Sequence, residues 1–160
     1  MREALLMFGF NLVLGGVISA LGWKFLLASD ANSGEIAKLV KNPGVLFLMA
    51  VVFAPVMEEL FCRGVPSLVL RGVWKARDWS LDARSNWYWI FGAASSFVFS
   101  VLHGAGDKAL QLPLPQLIMG FLLWRTAMNR GLRYSILMHA TYNSVAVGLV
   151  LLAGNSVKTP

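Results

Sequence analysis

Glu58 and Glu59 lie side by side in an otherwise apolar run from Val45 to Leu70, with Arg63 four residues on. The two histidines of the chain, His103 and His139, also stand in or at the ends of apolar segments. A carboxylate at the centre of a bilayer costs roughly 2.5–3.5 kcal/mol on insertion scales, so an ionisable group there is a functional candidate by default. Glu59 and Arg63 share a helix face and can pair. Glu58 points about 100° away from its neighbour, at 3.6 residues per turn. The arginine can thus satisfy one carboxylate and leave the other free to take a proton, as a general base does. A structural ion pair accounts for Glu59 and Arg63 but not for Glu58. His103 follows Phe99 by one turn, a place that a capping or interfacial histidine would also take. His139 and Asn143 are one turn apart on one face, which suggests either a hydrogen-bonded site or a helix–helix hydrogen bond. Asn11 and Gln116, single polar groups in apolar segments, read as helix–helix hydrogen bonds.

The elements that must position these groups are membrane helices. Of the 160 residues, 57% are hydrophobic and 14% charged, against roughly 45–50% and about 25% in a soluble domain. The expected fold is all-α: a polytopic bundle of about five transmembrane helices, forming one domain over residues 1–160. A span needs about 20 mostly apolar residues, which gives Ala4–Ala28, Pro43–Leu70, Trp87–His103, Pro113–Met128 and Tyr134–Leu152. The N-terminal stretch reads as an uncleaved first span, with only weak cleavage character at Ala28-Ser29-Asp30-Ala31. The net charge of +6 lies in short loops, where basic residues set topology and meet anionic lipid, so it does not point to nucleic acid. Cys62 is the single cysteine, which excludes an internal disulfide; it reads as small apolar filler.

The second span is too long for one straight helix and carries Pro55 and Pro66, which predict kinks near Glu58 and a turn along the interface after Pro66. Such breaks survive in lipid where protein or water satisfies the freed carbonyls. Pairs of small residues four apart, Gly15 with Ser19, Gly16 with Ala20, Gly92 with Ser96, and Ser96 with Ser100, permit close helix packing. Trp87-Tyr88-Trp89 reads as an interfacial aromatic belt. Loop lysines and arginines number eight on the side of Arg2 and five on the other, with Arg63 left out as intramembrane. The positive-inside rule then places the N-terminus in the cytoplasm and the C-terminus outside. This topology sets His103, sixteen residues after Trp87, nearer the far face than Glu58 and His139. The three meet only if the third span starts deeper than Trp87 suggests or tilts strongly.

Taken together, Glu58-Glu59-x-x-x-Arg63, Phe99-x-x-x-His103 and His139-x-x-x-Asn143, in this order on three apolar spans, resemble the CAAX-protease and bacteriocin-processing family of intramembrane glutamic endopeptidases, the CPBP or Abi family. The resemblance covers roughly residues 43–150. It implies that Glu58 activates water with help from His103, that His139 and Asn143 form the oxyanion site, and that Glu59 and Arg63 organise the helix and position substrate. It implies no metal and no cofactor. The partners it implies are the lipid bilayer and a membrane-anchored or membrane-associated protein or peptide, in a prokaryotic cytoplasmic membrane. The elementary chemistry agrees, since peptide hydrolysis needs a base near water and donors aimed at developing negative charge.

Three other readings use the same residues. Two histidines and a glutamate can bind zinc with a position left for water, although no closely spaced ligand pair is present. A non-catalytic scaffold or immunity protein could keep the fold. A transporter could relay protons through carboxylates and histidines, although the chain lacks the repeat symmetry common in transporters. The sequence names neither the substrate nor the oligomeric state.

Overall fold

A computed structural model describes residues 2–21, 42–75, 86–104 and 112–156. The end of the first expected span, the cleavage-like stretch at 28–31, most of both charged linkers and the turn at 105–107 lie outside these residues. The described residues form five helices and no strand: α1 (Arg2–Ala20), α2 (43–75), α3 (Asn86–Gly104), α4 (Leu114–Arg130) and α5 (Leu132–Ser156). The all-α expectation holds. Local sequence explains the helix ends. Asn42 caps α2, its side-chain oxygen accepting from the Val45 amide at 3.4 Å, and Pro43 follows at the first turn, where its missing donor costs nothing. Pro113 and Pro115 open α4 in the same way. Gly131 ends it with φ of 96°, a left-handed conformation that favours glycine.

Three helical segments, Arg2–Ala20, Pro43–Gly72 and Leu132–Leu152, are by themselves long and apolar enough to cross a membrane. Most of each is unburied by protein, with large apolar side chains such as Leu6, Phe53 and Leu137 facing outward. Five such spans were expected. The other two helices, α3 and α4, pack closely on one another and spend their inner faces on small or polar residues, among them Gly92, Ser95, Ser96, Ser100 and Gly120. α4 is also short, 17 residues, and α3 carries Asn86 and His103 at its two ends. The small-residue expectation holds on α3, where Gly92, Ser96 and Ser100 are buried, but fails on α1. There Gly16, Ser19 and Ala20 are exposed, and the packed face is Ala4, Met7, Asn11 and Ile18. Larger apolar groups supply more area on that face than the small ones can. Trp87 and Trp89 face outward as a belt requires, but Tyr88 turns inward against Trp124 and Leu70. Cys62 is core filler with Met7, Phe99, Met119 and Leu123.

The prolines of α2 act through the hydrogen-bond register. Two stretches, Leu48–Phe53 and Leu60–Gly64, are wound as wider turns in which each amide reaches five residues back. Ala54 donates to the Met49 carbonyl. Pro55 is next in line and has no amide for Ala50. The Ala50 carbonyl is taken instead by the Asn143 side chain at 2.8 Å. Val65 likewise donates to Leu60 and Pro66 has no amide to give, while in the same stretch the Cys62 carbonyl accepts from the Ser95 hydroxyl. A side chain of another helix thus takes a carbonyl near each proline, Ala50 and Cys62, on either side of Glu58 and Glu59. The helix runs on through Pro66 to Lys75, without the turn expected there.

Candidate active site

Glu59 and Arg63 are both fully buried and form the expected pair one turn apart, with Nη1 at 3.0 Å from Oε1. The second guanidinium nitrogen donates to the Gly120 carbonyl at 3.1 Å. The plane lies over the Phe99 ring, 4.3 Å from its centroid, a favourable cation–π placement. A Cβ on Gly120 would come within 3.0 Å of the Ser96 backbone and 3.2 Å of Arg63 Nη2, so only glycine lets α3, α4 and the guanidinium approach this closely.

Glu59 does more than hold the arginine. Its Oε1 also accepts from His139 Nδ1 at 3.0 Å, and its Oε2 takes the Ser135 hydroxyl. A carboxylate only accepts, so the contact places a proton on Nδ1 of His139 and turns Nε2 toward Glu58. His103 is set the same way by different means. Its Nδ1 lies 2.8 Å from the Phe99 carbonyl, an acceptor, which leaves Nε2 free. Both Nε2 atoms face one oxygen, Glu58 Oε2, at 3.6 Å from His103 and 3.7 Å from His139. That oxygen is buried and has no hydrogen-bond partner. Glu58 and His103 are about 30% exposed, whereas His139 is closed off. Phe99 lies between the parts, 4.4 Å from the His103 ring and edge-on to His139 at 5.6 Å.

The expected obstacle to His103 reaching the others is overcome. Side chains on a helix lean toward its N-terminus, and the bond from His103 back to Phe99 folds the ring one turn down α3 toward Glu58. Asn143 lies one turn beyond His139, and one of its two amide hydrogens goes to Ala50. Asn11 makes the expected interhelical bond, to Tyr142 at 3.3 Å. Gln116 does not: its buried Oε1 has no partner. Sequence reasoning missed Ser135, which stands four residues before His139 and extends the polar stripe of His139 and Asn143 by one turn. It also missed Gly120 and Ser95, one of which contributes a backbone atom and the other a single hydroxyl. Among the described residues, no three His, Cys, Asp or Glu side chains are arranged to hold a metal ion.

A family profile described as type II CAAX prenyl endopeptidase, Rce1-like, matches residues 41–145. The chain belongs to the Rce1-like family. All six motif residues, from Glu58 to Asn143, fall within the match, which agrees with the resemblance carried by the motifs. An Rce1-like chain is an endopeptidase, and the three membrane-length helices make this one an integral membrane protein. No curated protein and no solved structure matches the chain significantly.

Proposed function

We propose that this Rce1-like chain is a glutamic-type intramembrane endopeptidase, a single catalytic domain in which Glu58 and His103 activate water. The observation that carries the reading is the unpartnered Glu58 Oε2 faced by two imidazole nitrogens. At 3.6–3.7 Å these atoms are too far apart for direct hydrogen bonds and close enough for one water to touch two of them. Glu58 takes a proton from that water as its oxygen attacks the peptide carbonyl. It then delivers the proton to the departing amine, leaving a carboxyl and an amino end. The Nε2 side of His139 and the free amide hydrogen of Asn143 face the oxyanion. Glu59 holds His139 at Nδ1, and Arg63 keeps Glu59 in place.

The substrate of this reading is a membrane-associated protein or peptide, with the prenylated CAAX ends in the family's description as the first to try. The orientation is N-terminus cytoplasmic and C-terminus outside, in a prokaryotic cytoplasmic membrane. The bidentate Arg130–Glu3 pair, both bonds 2.9 Å, supports it by bringing the start of α1 to the basic α4–α5 turn. The test is Glu58→Gln in reconstituted membranes, with a fluorogenic prenylated CAAX peptide and trapping of native substrate from membranes. Cleavage should be lost while folding and substrate capture persist. A folded Glu58→Gln enzyme that still cleaves ends the proposal. Loss of cleavage on chelation, restored by stoichiometric zinc, transfers the same residues to the zinc reading.

A further inference from the structure

A cleft of about 580 Å³ opens between α1, α4 and α5, away from Glu58. Its floor is apolar, formed by Leu6, Met7, Phe10, Ile118, Leu122 and Met138, and its mouth holds Arg125 and Arg130 with Glu3. The polarity is ordered along the helices. On α1 the lining runs from Glu3 inward to Phe10, and on α4 from Arg130 inward to Ile118, about 18 Å at 1.5 Å per residue. Leu6 and Phe10 are more than half exposed, so the cleft opens toward the lipid side of α1.

We propose that this cleft binds one phospholipid with an anionic headgroup, an acyl chain lying on the apolar floor and the headgroup phosphate meeting Arg125. Apart from Thr126, whose hydroxyl is engaged by the Leu122 carbonyl, the polar lining, Asn129 included, sits with the arginines at the mouth. The apolar floor offers water no hydrogen-bond partners, and in a bilayer the available filler is an acyl chain. The charge at the mouth selects the headgroup. Arg130 is already neutralised by Glu3 through two bonds, whereas no carboxylate of the described residues pairs with Arg125, which is exposed. One unbalanced guanidinium over an apolar slot complements a phosphodiester on a hydrocarbon tail, and basic pockets between membrane helices take anionic headgroups in this manner. Met7 belongs both to the cleft wall and to the core cluster with Cys62 and Phe99, so a chain in the cleft rests against the packing under the candidate site.

The test uses the full chain in detergent and in nanodiscs, with dioleoyl phosphatidylglycerol and dioleoyl phosphatidylcholine as probes and native mass spectrometry as readout, independent of any cleavage. One phosphatidylglycerol should be retained per chain, with about fivefold preference over phosphatidylcholine, as expected of one basic residue near anionic lipid. Arg125→Gln should remove the preference and leave residual binding of both lipids. Ile118→Trp, which fills the floor, should abolish retention of both. Equal retention of the two lipids by the unaltered chain overturns the proposal, as does a preference that survives Arg125→Gln. Inorganic phosphate competing as well as the lipid would reduce the site to an anion contact. A lipid-free dimer would show that a second copy covers the cleft. Either result refutes it.

Discussion

Asn143 stands in two arguments, and a double substitution separates them. Its side chain gives one amide hydrogen to the Ala50 carbonyl at 2.8 Å, the acceptor that Pro55 leaves without a donor, and in the proposed mechanism the other hydrogen meets the oxyanion. Asn143→Ala removes both. The bond to Ala50 is only partly buried, which puts its loss near the low end of the range for an unpaired buried group, about 1 kcal/mol. The loss of one oxyanion donor is worth about 10²–10³-fold in turnover, roughly three times as much in free energy. Pro55→Ala restores a backbone amide one step after the Ala54 to Met49 bond, in register for Ala50. The double variant Asn143→Ala with Pro55→Ala should therefore recover thermal stability in detergent while remaining about 10²–10³-fold slow on a cleaved peptide, with substrate binding little changed. If turnover returns together with stability, Asn143 is a brace and not an oxyanion donor. If stability does not return, the account of Pro55 and Ala50 is wrong.

Three further outcomes follow from the same geometry. Ser95→Ala should destabilise by about 1 kcal/mol by removing its buried hydrogen bond to the Cys62 carbonyl, read in denaturation curves; an unchanged stability removes that brace. Glu59→Gln should cost about 3–5 kcal/mol, because Arg63 is left as a buried charge without its partner. Adding Arg63→Met should recover stability but not activity, and a Glu59→Gln protein as stable as the parent refutes that reading. Gly120→Ala should cost about 1–3 kcal/mol through overpacking against Ser96 and Arg63, read as a lowered melting temperature, and an unchanged one shows that α3 and α4 separate freely there.

Motif spacing carried much of the candidate site. The four-residue interval put Arg63 on Glu59, and Asn42-Pro43, Pro113 and Gly131 marked helix ends through local chemistry. The extra service of Glu59 could not be read, because its contacts with His139 and Ser135 cross 80 and 76 residues of chain and depend on how α5 crosses α2. The reach of His103 to Glu58 was hidden for a related reason. Counting 1.5 Å per residue locates a Cα, whereas the reactive nitrogen follows a side chain folded back by its own hydrogen bond. On α1 the small residues suggested the wrong face, since permission to pack closely is not a reason to do so when Met7 and Ile18 offer more area.

The pairing of Glu59 with Arg63 also bears on how the protein enters its membrane. Both groups lie on one helix, four residues apart, so they can neutralise each other as soon as that helix winds, before α3, α4 or α5 has left the ribosome. An insertion machinery meeting the apolar stretch 45–70 of α2 alone encounters close to one net charge in place of three, each worth about 2.5–3.5 kcal/mol at the centre of a helix. The remaining charge is Glu58, which can cross as the neutral acid. Gly120, Ser135 and His139 arrive later and fasten a pair that has already formed. Moving the arginine off the i+4 position, even to a place from which the finished bundle could still reach Glu59, would therefore be felt first as failed insertion of α2.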